Sequence, residues 1–372
     1  MNPSFPFFPA WQAARRILCV RLDGLSGVLM CTPALRALRG AASTDPLHAP
    51  PRSLTLLCSA GAAAALPFMQ EVDDAIAADA LDVEHGVVTA LAASLRARAF
   101  DAAVVFTSYT GSALPAARLC RQAEIPLCLA YCREPPDGLL SDPVPDPDLA
   151  GPVRHEVQRQ LALVRHIGCA PRGLGLSFVP RAQDHAAAEA HLRSAGIDPG
   201  RPWLLLHPGG GSAAPHYPPD QWARVIALLS EATATALPLV LAGSAAEIAL
   251  VEDIRRSAGV PTHSLAGRLT LGELGALIQR AALALTRHGA PAHIANAVGT
   301  PLVDLYALTH PQHPPWGGRS RVLFHDLPCR FCLANTCSQG HQACLAGVAP
   351  ERVADAVRGL LHARRTQAHE ER

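Results

Sequence analysis

The sequence predicts an α/β protein made of two Rossmann-like domains facing each other across a cleft, and three observations predict it. Short apolar runs of strand length alternate with Ala-rich stretches of helical spacing in both halves of the chain. The alternation is interrupted at 134–154, a Pro- and Asp-rich stretch that reads as a loop, and restarts near residue 176. Glycines follow several of the strand-like runs, at the strand ends where sheets of this kind hold their ligands.

Taken in order, RILCVRL at 16–22 predicts a strand, and after a Gly-Leu-Ser-Gly turn VLMCTPALRALR has the apolar spacing of a helix. SLTLLC at 53–58, DAAVVFT at 101–107 and a shorter run near 126–131 continue a parallel sheet, and HEVQRQLALVRHIG predicts a helix stopped by Gly168. The second half reads as helix AAAEAHLRSAG, strand PWLLLHPGG, helix DQWARVIALLSEA, strand PLVLAG, then helices AEIALVEDIRRSAG and LGELGALIQRA. A strand at 282–286, a helix at 291–298 and the strand TPLVDLY follow. The last helix, PERVADAVRGLLHARR, should pack on a domain and leave an exposed polar tail after Arg365. The expected divisions are residues 1–175, residues 176–350 with a Cys-rich loop at 329–344, and a C-terminal helix and tail at 351–372.

With 372 residues, 49% hydrophobic and 17% charged, the chain can bury two cores and is not disordered over most of its length. Its 32 basic and 31 acidic residues leave a formal charge of +1, which provides no field to collect nucleic acid, so no nucleic-acid partner is expected. Lysine is absent throughout, which excludes Schiff-base and P-loop lysine chemistry; together with heavy Ala, Arg and Pro usage, it reads as a compositional bias of the coding genome. The eleven cysteines are an odd number, MNPSFPFFPAWQ lacks the pattern of a signal peptide, and no apolar run is long enough to span a bilayer. A reducing cytoplasm is therefore expected.

Among residues that carry chemistry, Gly209, Gly210, Gly211 and Ser212 lie between a strand and a helix, where closely approaching backbone amides can hold an anion; a tight turn without a ligand would use the same glycines. Gly289 and Ala290 lead through Pro291 into a helix whose first turn contains His293, placed to donate to a phosphate or else a structural histidine. Cys329, Cys332, Cys337 and Cys344 have the spacing C-x2-C-x4-C-x6-C, compact enough for a tetrahedral zinc or iron site, with His325 and His341 as nearby substitutes. A reduced loop of packed cysteines is the alternative; a metal site here, after the last strand, would staple the loop.

Four ordered stretches together resemble the ADP-heptose:lipopolysaccharide heptosyltransferases, glycosyltransferase family 9, whose fold is GT-B. They are RLDGLSGVLMCTPALRALR at 21–39, HPGGGSAAPHYPPDQW at 207–222, LAGRLTLGELGALI through HGAPAHIANAVGTPLVDLY at 265–306, and CRFCLANTCSQGHQACLAGVAPERV at 329–353. The resemblance implies inverting transfer of heptose, or a related sugar, from ADP-heptose or a similar nucleotide sugar to a lipopolysaccharide-core or other glycan acceptor. It also implies peripheral contact with the cytoplasmic face of the inner membrane and no cofactor for transfer. Donor contacts carried over by the resemblance are Gly210, Gly211, Ser212, His288, Gly289, Ala290 and His293. Glu247 matches a glutamate that grips the donor's ribose, although a glutamate at a helix N-terminus needs no ligand to be favourable.

The resemblance also has departures. The family's Asp-Ser-Gly-Pro-x-His appears here as His288, Gly289, Ala290, Pro291, Ala292, His293, so an acceptor of hydroxyl hydrogen bonds becomes a histidine. Lys-x-Trp-Pro appears as Pro215, His216, Tyr217, Pro218, removing a fixed cation. In Arg-Leu-Asp-x-x-Gly-Asp the last aspartate is the acceptor's general base, and Gly27 stands in its place; Asp23 matches a different family position and becomes the candidate base. Gly27→Asp is then expected to raise the rate. The competing reading is a catalytically impaired member that binds or scaffolds, favoured by Gly27, Pro215 and His288. A nucleotide-sugar epimerase would need acidic and histidine pairs near both strand ends, which the sequence does not supply.

Overall fold

A computed structural model of the chain describes residues 8–40, 52–78, 85–149, 153–210, 216–231, 237–307, 309–334 and 336–370. The chain divides into two compact units, Met1–Ser177 and Phe178–Arg372. Among the described residues no helix is long and apolar enough to cross a membrane.

The first unit runs α1 (Pro9–Ala13), β1 (Arg16–Arg21), α2 (Leu25–Gly40), β2 (Ser53–Cys58), α3 (Ala60–Ala63), β3 (Asp74–Ala77), α4 (His85–Ala97), β4 (Ala102–Val105), α5 (Leu114–Gln122), β5 (Leu127–Cys132), β6 (Asp142–Pro145) and α6 (Glu156–His166). Its sheet is parallel with strand order β3-β2-β1-β4-β5-β6. In β1 and in β2 every residue after the first is buried, the pattern of a strand covered on both faces rather than one. Six of the seven scattered cysteines are buried in this unit and act as small apolar side chains; burial pushes the Cys31 thiol up to about 12.

The second unit runs α7 (Ala182–Ser194), β7 (Leu204–His207), α8 (Pro219–Ser230), β8 (Leu239–Leu241), α9 (Ile248–Ala258), β9 (His263–Ser264), α10 (Leu271–Arg280), β10 (Leu283–Arg287), α11 (Ala290–Ala297), β11 (Leu302–Leu305), β12 (Ser320–Leu323), α12 (Ala343–Ala346) and α13 (Pro350–Glu370). Its parallel sheet has the order β12-β11-β10-β7-β8-β9. Val353 and Val357 of α13 join Trp222, Leu283 and Leu305 in the core, so the C-terminal helix is part of this unit.

Three differences from the sequence expectation stand out. The stretch at 134–154 contains β6, whose residues Pro143 and Pro145 lack the N–H of a ladder donor and are tolerated because β6 is an edge. The short strands β3, β9 and β12 carry no apolar run that announces them, and each is also an edge. Residues after Arg365, expected as a polar tail, continue α13 to Glu370.

Candidate active site

In the first unit the polar centre lies at the carboxyl end of β1. Arg21, the last residue of that strand, is 1% exposed, with Nη1 donating to Glu156 Oε1 at 2.6 Å and Nη2 2.5 Å from Asp23 Oδ2. Glu156, the fully buried first residue of α6, also accepts from Gln160 Nε2 at 2.7 Å, and that same amide donates to the Thr107 carbonyl at 2.9 Å. Burial opposes the Arg21 charge, but Glu156 foremost, with Asp23 and Cys31, outweighs it and raises the guanidinium pKa. The charged pair is held because each member satisfies the other in a place water does not reach.

Asp23 is 46% exposed and lines a cavity of about 210 Å³ together with Thr107, Ser108 and Ser112. It is the charged residue among those lining residues, tethered on one side by Arg21 and open on the other. Gly27 sits in the first turn of α2, and a Cβ there would come 2.9 Å from both Arg21 Nε and Asp23 Cβ. An aspartate at 27 would therefore need the Arg21 or Asp23 side chain to shift before it could stand as a base. The Arg21–Asp23 pair occupies the space that such a side chain would need.

In the second unit the site is built on glycines at strand ends. After β7, a Cβ on Gly209 would overlap the Glu247 carboxylate, and one on Gly210 would overlap the Arg287 guanidinium. Absence of a side chain is therefore what lets two charged groups lie against the backbone. Arg287 Nη1 donates to the Gly210 carbonyl. Glu247 closes a capping box ahead of α9: its Oε2 accepts from the Ser244 amide at 2.7 Å. Burial works to raise the Glu247 pKa, but the Ser244 amide, the His207 charge and the Gly210 amide overcome it, leaving the carboxyl below its ordinary range. His207, buried at the end of β7, is pushed down by desolvation, with Glu247 opposing. Glu247 is thus both a helix-end carboxylate and a group aimed at the glycine turn.

At the end of β10 the chain passes through His288 and Gly289 into α11, whose first residue is Ala290. His293 lies in the first turn, as expected, but is fully buried and meets His288 edge-on, ring centroids 5.2 Å apart. His288 keeps 17% of its side-chain surface, and its Nδ1 is 2.8 Å from Oδ2 of buried Asp304 on β11. Gly211, Ser212 and Pro215 lie outside the described residues. Just beyond them, His216 N donates to Gln342 Oε1 at 2.9 Å, Tyr217 OH to the Val348 carbonyl at 2.9 Å and Gln221 Nε2 to the Ala346 carbonyl at 2.8 Å. The segment after the glycine turn is therefore pinned to the end of the cysteine loop.

Cys329, Cys332, Cys337 and Cys344 line one cavity with His325 and His341. Backbone amides converge on the Cys337 sulfur, chiefly that of Gln342 and then those of Gln339, Gly340 and His341, and they lower its pKa. Burial raises that of Cys344, with Cys337 and Cys329 nearby adding to the rise. Phe331, Leu333 and Gln342 take left-handed backbone conformations (φ 59°, 55° and 46°), so the loop turns sharply between its cysteines. Among the described residues no three His, Cys, Asp or Glu side chains stand close enough to hold a metal ion in this arrangement.

Sequence reasoning did not single out Arg21, Glu156, Ser244, Arg287 or Asp304. Arg21 with Glu156, Arg287 with Gly210 and Asp304 with His288 are brought together by the fold from separate elements, whereas Ser244 stands three residues before Glu247, the S-x-x-E spacing of a capping box that the sequence carries.

Residues 88–343 match the model of glycosyltransferase family 9 (heptosyltransferase). Lipopolysaccharide heptosyltransferase 1 of Pseudomonas aeruginosa is 28% identical over 188 residues, 46% of this chain and 52% of that protein, so the chain spans about half the length of that relative. Among solved structures, the family 9 glycosyl transferase of Veillonella parvula has a TM-score of 0.77 at 19% identity, covering 94% of this chain and 98% of that one. The ADP-heptose lps heptosyltransferase II of E. coli has a TM-score of 0.70 at 23% identity, covering 94% and 99%. Two parallel sheets with helices, and the likeness to these structures, show the GT-B fold. With more than half of its length inside the match, the chain belongs to glycosyltransferase family 9, the heptosyltransferase family.

Proposed function

We propose that the chain transfers heptose, or a related sugar, from ADP-heptose to a lipopolysaccharide-core or other glycan acceptor, with inversion at the anomeric carbon. The observation that carries this reading is the Glu247 carboxylate held against Gly209 and Gly210 at the end of β7, where a ribose hydroxyl pair and a diphosphate can be gripped together. The amides of Gly210, Gly211, Ser212, Gly289 and Ala290, with His288 and His293, complete the donor seat in this reading. Asp23 takes the acceptor proton as the hydroxyl attacks and the bond from anomeric carbon to diphosphate breaks. Transfer uses no cofactor, and the protein works in the cytoplasm against the inner membrane's cytoplasmic face. The names of the relatives, a lipopolysaccharide heptosyltransferase and an ADP-heptose enzyme, support the choice of donor and acceptor.

The test is thermal protection by ADP-heptose set against UDP- and GDP-sugars, followed by transfer to lipopolysaccharide core. A rise in melting temperature with ADP-heptose alone, and product, are expected; no protection by any nucleotide sugar overturns the reading. A second reading, a family member that binds the donor without turning it over, is favoured by the filled space at Gly27 and by His288 in the family's aspartate position. Protection without product supports it.

The four loop cysteines are proposed to hold one structural zinc or iron. The shared cavity and the amides aimed at Cys337 support this, and the loop must tighten for four thiolates to reach one ion. Elemental analysis of freshly purified chain should give one metal per chain, lost when any two of these cysteines become serine. A metal content near zero rejects the site.

A further inference from the structure

The residues around the cavity beside Asp23 bear on which acceptors can enter it. Leu22, Phe106 and Pro115 give it apolar surface, and Thr107, Ser108 and Ser112 add hydroxyls that can both donate and accept. Among the described residues lining it, Asp23 is the charged one. Arg21 is 1% exposed and lies between Asp23 Oδ2 at 2.5 Å and Glu156 Oε1 at 2.6 Å. One guanidinium thus stands against two carboxylates, and the end of β1 faces the cavity with net negative charge.

The neighbouring contacts add to that sign. Ser112 Oγ donates to Glu134 Oε2 at 3.0 Å, which brings a further carboxylate to a lining residue. Arg133, next to Glu134 in the chain, directs its Nε to Asp146 Oδ2 at 2.8 Å and lies over the Tyr109 ring, 4.8 Å from the centroid. The start of α5, where a helix would offer amides to an anion, is partly used up: the Leu114 amide donates to Ser112 Oγ at 3.2 Å, and Pro115 has no N–H.

We infer that this cavity selects an uncharged sugar as the acceptor residue, one that presents hydroxyls and an apolar ring face, and discriminates against a sugar bearing a carboxylate or phosphate. The inference rests on the acceptor half of the proposed reading and narrows it: the residue that receives the transferred sugar is a neutral heptose or hexose. An acidic sugar seated here would hold its charge close to Asp23 in a partly enclosed space, where like charges are screened less than in open water. The carboxylate that takes the acceptor proton in the proposed reading then also sorts acceptors by charge.

Methyl glycosides of glucose, galactose and mannose, each paired with the glycoside of its uronic acid, differ within a pair only in the carboxylate. Ligand-observed NMR titrations on the full chain, with ADP present and salt at about 0.05 M, should show a neutral glycoside bound roughly tenfold tighter than its uronide. Asp23→Asn should close most of that gap by strengthening uronide binding, and exposed Glu134→Gln should close less of it. Should Asp23→Asn fail to fold, the salt dependence of the unaltered chain decides, because a gap made by charge shrinks as salt rises. A uronide bound as tightly as its neutral partner, or a gap that neither Asp23→Asn nor salt reduces, overturns the inference. Failure of every glycoside to bind while ADP-heptose still protects the chain from heat also overturns it and leaves the donor reading standing. A preference for neutral glycosides in a chain that no nucleotide sugar protects upholds the charge selection and overturns the transfer reading.

Discussion

The polar centre of the first unit is wired by buried charge, and that of the second is shaped by missing side chains. Around β1 the position of Asp23 follows from Arg21, which in turn is fixed by Glu156 and Gln160 inside the unit. At the end of β7, Gly209 and Gly210 admit Glu247 and Arg287 to the backbone by having no Cβ. The contrast teaches that the two halves fail in opposite ways. In the proposed reading, changing a charge should disable the first, where one carboxylate is the proposed base, and adding a methyl group should disable the second, where the proposed ligand seat depends on close approach.

The sharpest test is Asp23→Asn. Loss of a general base costs roughly 100- to 10,000-fold in rate, and because the proposed donor groups belong to the other unit, ADP-heptose affinity should not change. Calorimetry and initial rates on one preparation check both halves of the statement. Unchanged turnover would remove Asp23 from the mechanism and, with it, the charge side of the contrast.

Gly209→Ala is the matching perturbation in the second unit. Its methyl group would displace the Glu247 carboxylate, and overpacking of this kind costs about 1–3 kcal/mol, so donor affinity should fall roughly 5- to 150-fold. Equal affinity in the variant would mean that Glu247 is only a helix cap. Gly27→Asp probes the first unit by the same means. Since its Cβ meets Arg21 Nε and Asp23 Cβ at 2.9 Å, it should lower stability in chemical denaturation by about 1–3 kcal/mol and leave the rate unimproved. A faster Gly27→Asp enzyme would show that the Arg21–Asp23 pair yields its place readily.

How much of this was legible in the sequence follows the same physics. Interior strands such as β1, β2 and β7 are continuous apolar runs and were visible; the four unannounced strands, β3, β6, β9 and β12, are the four sheet edges. An edge strand is short and tolerates Asp, Pro and Ser, so it leaves no hydrophobic run to find. At the site, glycines and Glu247 were legible because their chemistry is local to a motif. Arg21 with Glu156, and His288 with Asp304, were not, because each pair is made by the fold across 135 and 16 positions. Asp23 was legible as a residue, but its relation to Gly27 required the geometry.

The smallest expected effect tests whether charge wiring extends through the first unit. Asp146 is 6% exposed; Arg159 Nη1 and Nη2 lie 2.6 and 2.9 Å from its two oxygens, and Arg133 Nε lies 2.8 Å from Oδ2. Burial pushes its pKa up, but Arg159 and then Arg133 outweigh that and bring it from 3.8 to about 2. Because the folded value is the lower one, the stability this carboxylate contributes is fully present above the unfolded pKa and is lost as pH falls through the window from 3.8 to about 2. Arg133→Gln removes the outer of the two arginines while Arg159 stays, so it should cost at most about 1 kcal/mol at neutral pH and move acid unfolding of the first unit upward. Urea denaturation at pH 7 and again near pH 3, followed by hydrogen exchange in peptides of each unit, measures both quantities. If the variant's loss is no smaller near pH 3 than at pH 7, Arg133 does not act through the ionised Asp146, and the wiring that distinguishes the first unit stops at its fully buried pairs.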